Sequence, residues 1–239
     1  MNAPLVFLHG SGDNKRIWRF QIEQSGQALD LPGHGERADT LSADALIPEY
    51  AQAVYQIIQD ELKLERPIIV GHSLGGAIAL MMALDYGDEL GGLILLGTGA
   101  RLRVHPALLA EALEAPERAQ RHLVEAALVP EHIPAFAEAI LQEQGTPKAG
   151  VFYRDLQACN MFDIIPRLHE ITVPTLILCG REDKLTPPKY SQFLAEKLTG
   201  VKQEVVLHVI PDAGHYVMRE QGENVNEAIA DWLAANLHS

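Results

Sequence analysis

The stretch Ile68-Ile69-Val70-Gly71-His72-Ser73-Leu74-Gly75-Gly76-Ala77-Ile78-Ala79-Leu80 limits what this chain can fold into more than any other. Its first three residues are β-branched and apolar, the pattern of a short strand covered on both faces. From Ala77 to Leu84 the residues favour helix, with no Gly or Pro. Ser73 stands at the junction, inside Gly-x-Ser-x-Gly. A strand that turns this sharply into a helix leaves no room for side chains at 71 and 75. It strains the serine backbone and holds the hydroxyl up at the end of a sheet. The amides that follow open a helix and can face a developing negative charge.

The rest of the chain repeats this strand-then-helix rhythm. Pro4 to Leu8 reads as a buried strand ending in the turn His9-Gly10-Ser11-Gly12, followed by a helix over Asp13 to Gln24. Ala28 to Leu31 reads as a strand running into Pro32-Gly33-His34-Gly35, a compact turn in which His34 is structural. Leu46 to Leu64 has a helical period, with Ala51, Val54, Tyr55, Ile58 and Leu62 on one face. Strands follow at Leu93–Leu96, Thr175–Cys179 and Glu204–Ile210, with helices at Pro187–Leu198 and Glu223–Leu237. Such alternation predicts right-handed crossovers and a parallel sheet. The rhythm breaks between residues 100 and 170, where short helical patterns are punctuated by prolines and no strand is read. The chain therefore divides into a core of residues 1–99 and 171–239 and a helical insertion, 100–170, over one end of the sheet.

Parallel sheets carry their chemistry at the carboxyl ends of the strands. Ser73, Asp183 in Gly180-Arg181-Glu182-Asp183 and His215 in Gly214-His215 all fall at that edge. A serine hydroxyl is a poor nucleophile until a base takes its proton, and histidine is suited to do so near neutral pH. A carboxylate then fixes the imidazole tautomer. Asp183 is preferred to its neighbour Glu182 on loop spacing. Asp212 is read as a solvated loop acid, and His72 as packing against the sheet.

These motifs resemble the α/β-hydrolase fold, in particular serine hydrolases of the esterase and lipase-like type with a helical cap. The resemblance rests on His9-Gly10, Asp30-x-Pro32-Gly33-His34-Gly35, Gly71-His72-Ser73-Leu74-Gly75-Gly76, Gly180-x-x-Asp183 and Gly214-His215. It implies a mostly parallel central sheet of about six strands, without the first two strands usual in the family. The 28–31 strand is then an open sheet edge, which invites association. The resemblance also implies that residues 100–170 form the lid and that the backbone N–H groups of Ser11 and Leu74 make an oxyanion hole. Gly10, Phe136, Met161, Phe162 and Tyr216 are expected to line the substrate pocket. The implied activity is hydrolysis of carboxylic esters of short to medium acyl chains through an acyl-enzyme, with Ser73 as nucleophile, His215 as base and Asp183 as orienter. The same triad serves thioesterases, lactonases and carbon–carbon bond hydrolases, and a slow-turnover ligand receptor could also retain it. Serine at the elbow, where haloalkane dehalogenases and epoxide hydrolases carry aspartate, argues against those branches.

Composition narrows the partners. With 239 residues, 47% of them hydrophobic, the chain can bury a large core. A formal net charge of −13 argues against nucleic acid and against anionic membrane surfaces. It also predicts a preference for uncharged esters. Cys159 and Cys179 form no disulfide framework, and the histidines show no metal-ligand spacing, so neither metal nor cofactor is expected. Met1-Asn2-Ala3-Pro4 has no basic leader, and no apolar run reaches membrane length. The expectation is a cytoplasmic monomer or homodimer acting on a small-molecule ester.

Overall fold

A computed structural model of the chain describes residues 4–22, 26–202 and 204–236. Glu23, Gln24 and Leu237 at the ends of two expected helices, the Met1–Ala3 start and His238 lie outside them. Six parallel strands form one sheet: β1 (Leu5–Leu8), β2 (Gly26–Leu29), β3 (Ile68–His72), β4 (Gly92–Leu96), β5 (Thr175–Gly180) and β6 (Val206–Ile210). Their spatial order is β2-β1-β3-β4-β5-β6. Strands β1, β3, β4 and β5 are buried along their whole length, as their unbroken apolar runs require. The edge strands β2 and β6 are only partly covered.

The two-residue period divides the apolar side chains between two cores. Val6, Leu8, Ile69, Leu93, Leu95 and Ile177 face α1 (Ile47–Gln56), α2 (Leu74–Tyr86) and α7 (Pro188–Lys197). Leu5, Phe7, Ile68, Val70, Ile94 and Leu178 face the other way, toward Trp18, the short α8 (Val217–Glu220) and α9 (Gly222–Asn236). Between β4 and β5 lie α3 (Pro106–Glu114), α4 (Pro116–Ala127), α5 (Ile133–Gln144) and α6 (Ala149–Met161). Of these, α6 joins the first core through Ala158 and Cys159. Helices α4 and α5 join the second through Val124, Ala127, Ala137 and Ile140. The insertion thus straddles the sheet and is anchored on both flanks.

Two expected elements are corrected. The helix over 13–24 is a 3-10 turn, Lys15–Trp18, capped by the Asn14 side chain on the Arg16 amide. Its bonds run Ile17 N to Asn14 O and Arg19 N to Arg16 O, a tighter winding that buries Ile17 and Trp18 but leaves Phe20 43% exposed. Strand β2 lies two residues earlier than the apolar pattern suggests. The chain leaves the sheet at Asp30, whose carboxylate accepts the Lys15 and Glu36 amides, and Leu31 is buried beyond the sheet with its amide on His9 Nε2.

Candidate active site

The turn from β3 to α2 holds Ser73 at φ +53°, ψ −113°, a conformation that a residue with a side chain adopts only when its surroundings force it. Several bonds impose it. The Ser73 amide donates to Leu96 O at 3.0 Å, and the Thr98 hydroxyl donates to Ser73 O at 2.9 Å. A Cβ on Gly71 would strike the Gly75 carbonyl, and one on Gly75 would strike that of Leu8, so strand and helix can close only over glycines.

Asp183 follows β5 and His215 follows β6, on loops that are fastened together. Glu182 N donates to Ala213 O at 3.0 Å, and Ala213 N donates to Glu182 Oε2 at 3.1 Å. Glu182 is thus used as a latch between the loops. Asp183 Oδ2 accepts His215 Nδ1–H at 2.8 Å and the Thr186 hydroxyl at 2.8 Å, while Oδ1 accepts the Leu185 and Thr186 amides at 2.9 and 2.8 Å. Burial alone would raise the Asp183 pKa. The His215 charge and the bonds from His215 and Thr186 outweigh it and hold the carboxyl below its usual range. With Nδ1–H committed to Asp183, the basic nitrogen of His215 is Nε2. His72 supports this loop from below, its Nε2–H donating to His215 O at 3.1 Å. Burial drives the His72 pKa well down, so this ring stays neutral. Gly97, at φ +52°, lets the chain pass the histidine, since a Cβ there would lie 3.1 Å from His215 Nδ1.

Ser73 and His215 open into one cavity of about 270 Å³, with Gly10, Ser11 and Tyr216 in its wall. Leu102, Val104, Leu108, Leu123 and Leu156 supply an apolar roof from the insertion. Leu74 begins α2, so its N–H has no intrahelical acceptor. The loop after β1 spends the amides around Ser11 elsewhere, Gly12 N on Asp155 and Asp13 N on Gly10 O, at 3.2 Å each. Among the described residues, no protein acceptor takes the Ser11 amide.

Three expected pocket residues stand elsewhere. Phe136 packs on the His132 ring at 5.8 Å, beside the second core. Phe162 is buried in the first core, and Met161 is 58% exposed. Apolar spacing on a helix does not say what covers a residue, and at Met161, the end of α6, it does not say that the residue is covered at all.

The sequence reading passed over several groups that the fold brings here. Thr186 clamps both Asp183 and His215 Nδ1. Buried Glu220 accepts the Gly214 and Val129 amides, each at 2.9 Å, and so ties the histidine loop to the insertion. Asp13 lines the cavity with Oδ1 accepting Gln144 Nε2–H at 2.6 Å, and burial pushes its pKa up to about 7. Cys159 Sγ lies 3.7 Å from Ser11 Oγ, and burial raises that thiol to about 12, leaving it uncharged. Thr186 alone had a signal, its place three residues after the acid. Among the described residues no group of three or more His, Cys, Asp or Glu could hold a metal ion, and no helix is long and apolar enough to cross a membrane.

Ser73 thus shares one cavity with the His215–Asp183 pair, beside two amides for which the described residues supply no acceptor, and similar proteins share the architecture. A solved structure of a thermophilic esterase is 32% identical, with a TM-score of 0.80 over 97% of this chain and 89% of that one. Est816, described as an N-acyl homoserine lactone degrading enzyme, is 27% identical with a TM-score of 0.81, covering 97% of this chain and 93% of its own. The 2-hydroxy-6-oxo-6-phenylhexa-2,4-dienoate hydrolase of Burkholderia cepacia is 25% identical over 96% of this chain and 87% of its own. The sequence pattern of the alpha/beta hydrolase family runs through residues 5–228, from β1 into α9, and the chain is therefore a hydrolase belonging to that family.

Proposed function

We propose that this hydrolase cleaves carboxylic esters of short to medium acyl chains through an acyl-enzyme. Ser73 Oγ attacks the ester carbonyl while His215 Nε2 takes its proton. The carbonyl oxygen becomes an oxyanion between the Leu74 and Ser11 amides. Collapse breaks the bond to the alkoxide, which leaves with the proton from His215. Water, activated by the same nitrogen, then releases the acid and restores Ser73. Water is the one co-reactant this scheme uses, so the reading includes no cofactor. Asp183 holds the tautomer throughout and stays ionised.

The observation that carries the reading is the bond from His215 Nδ1 to Asp183 at 2.8 Å beside an elbow serine, opening into a roofed apolar cavity. A cavity of about 270 Å³ suits a small or medium acyl group and not a long lipid chain. The test is kcat/KM across p-nitrophenyl esters from acetate to palmitate, together with stoichiometric labelling by an organophosphonate fluoride. The expected results are a maximum at short to medium chains and a label on Ser73. A maximum at palmitate, a rate jump at the micellar threshold or a label elsewhere would overturn the reading.

A further inference from the structure

The chain is strongly acidic overall, yet the mouth of its cavity is not. Arg103, His105 and Lys184 all line the cavity, while its one acidic lining residue among those described, Asp13, is buried at its inner end beside Tyr216. The positive charge continues past Tyr190, which the cavity shares with an adjoining groove lined by Arg101 and Lys189. Asp163 is the carboxylate set against them, 3.7 Å from Arg101 and 3.8 Å from Arg103. That carboxylate reaches two of the four fixed cations, Arg101 and Arg103. Lys184 and Lys189 have no ion-pair partner among the described residues. Glu111, further along past His105, is already engaged by Arg118 and by His122 Nδ1 at 2.9 Å. His105 Nδ1 accepts the Ala107 amide at 3.2 Å, so its Nε2–H is left to donate.

We propose that this mouth selects substrates carrying a carboxylate remote from the bond that is cleaved. The proposal rests on the ester reading above and names the substrate class for that site. An apolar chamber that takes a short acyl chain, with cations at its entrance, fits the ester of a dicarboxylic acid. The acyl chain spans the Leu-lined roof, and the free carboxylate ends against Lys184 and Arg103. A phosphate-bearing substrate fits less well. Phosphate sites draw on helix N-terminal amides, and at the two helices that open at this mouth, α3 and α7, Pro106 and Pro188 have no N–H, the Ala107 and Leu108 amides are spent on His105, and the Tyr190 amide is spent on Pro187 O. The local field also reverses what the total charge suggests, because focusing depends on the charges lining a cleft and not on their sum over the chain.

The discriminating pair is p-nitrophenyl hexanoate and the mono-p-nitrophenyl ester of adipic acid, equal in length and differing by one terminal carboxylate. The adipate ester should show a kcat/KM about tenfold higher at low salt. That ratio should fall severalfold between about 20 mM and about 500 mM NaCl. Lys184→Gln combined with Arg103→Gln should bring the ratio to within about threefold of one, with the change in KM, whereas Lys184→Arg alone should keep it high. Lys197→Gln, on the far end of α7, should leave the ratio unchanged. A wild-type ratio at or below one, with the hexanoate ester turned over normally, overturns the proposal and leaves the ester reading standing. A faster reaction with hexanoyl-coenzyme A than with the adipate ester also overturns it. Failure to hydrolyse either ester removes the ester reading and this proposal with it.

Discussion

Two histidine–aspartate pairs in this molecule have the same length and opposite surroundings. His215 Nδ1 meets Asp183 Oδ2 at 2.8 Å, and His34 Nε2 meets Asp155 Oδ2 at 2.8 Å. In the first, the second ring nitrogen is left to the cavity. In the second, it lies 3.2 Å from Pro32 O, so both nitrogens of His34 point at oxygen acceptors and both carry hydrogen. Burial pulls the His34 pKa down, but the Asp155 charge and the two hydrogen bonds outweigh it and hold the imidazolium in place. Asp155 is correspondingly held low against its own burial. What distinguishes the two pairs is therefore not the bond they share but what the far nitrogen meets. The clamp also reaches the active site indirectly. Asp155 Oδ2 accepts the Gly12 amide at 3.2 Å, and its Oδ1 accepts Tyr50 OH at 2.5 Å, so one carboxylate from the insertion positions the loop that carries Ser11.

The largest effects should come from the open pair and its serine. Ser73→Ala and His215→Ala should each lower ester hydrolysis by at least about three orders of magnitude, because the groups act as one unit, with urea unfolding unchanged in Ser73→Ala. A variant that kept a tenth of the parent rate would place the nucleophile or base elsewhere.

The same substitution at the two acids sharpens the contrast. Asp183→Asn should slow the rate by about 10²–10⁴-fold in a protein that still folds, since an amide favours the wrong tautomer of His215. Asp155→Asn should first cost stability, about 3–5 kcal/mol in urea, because it leaves a buried imidazolium without its partner. Its loss of rate should be only about tenfold, through the Gly12–Ser11 loop. If Asp155→Asn matched Asp183→Asn in rate and spared stability, the two pairs would not differ as described.

The clamp should also have its own pH window. Asp155 is held below its unfolded value, so its contribution is present above the usual carboxylate range and is lost as pH falls through the lowered value. His34 is held above its unfolded value, so its contribution is complete below the ordinary histidine range and is lost as pH rises through the raised one. Thermal unfolding of the parent against His34→Gln should show the largest gap between those limits and a smaller gap on either side. A gap that does not change with pH would remove the charge from the clamp.

The smallest effect should come from Asp13, a buried carboxylate with no histidine bonded to it. Its pKa is raised from 3.8 to about 7, chiefly by burial. The folded state therefore holds a proton that the unfolded state releases, and stability is lost as pH rises from about 4 through about 7. Asp13→Asn should match the parent near pH 4 and exceed it by about 1–3 kcal/mol at pH 8. Equal stability at both pH values would mean that Asp13 has a cation partner after all.

The same contrast separates what was legible in the chain from what was not. Strand β3, its elbow and the loops of Asp183 and His215 could be read because each follows a short apolar run, and alternation alone orders them along one sheet edge. Asp155 could not, because its partner His34 lies 121 residues away, and their meeting depends on how the insertion folds back. The pocket expectations failed for a related reason. Phe136 and Phe162 are apolar and covered as expected, but the insertion has three apolar neighbours, the two cores and the cavity, and helical period does not choose among them. The sign of charge at one cleft was not legible in the net charge, because a sum carries no position.

The bond from Asp155 to Gly12 means that the insertion is not a module that can be exchanged freely. Arg154 Nη2 and Nη1 donate to the two Asp39 oxygens at 2.9 and 3.0 Å, and its Nε donates to Tyr50 OH at 2.9 Å. A graft of another lid onto this body, cut at the β4 and β5 ends, would strand Asp39, Tyr50 and His34 unless the donor supplied an Arg-Asp pair at the same turn of its last helix. A donor lid chosen only for the pocket it shapes would arrive without the residues that hold the Ser11 amide in place. The insertion and the loop that carries Ser11 are therefore coupled through two consecutive residues of one helix, Arg154 and Asp155.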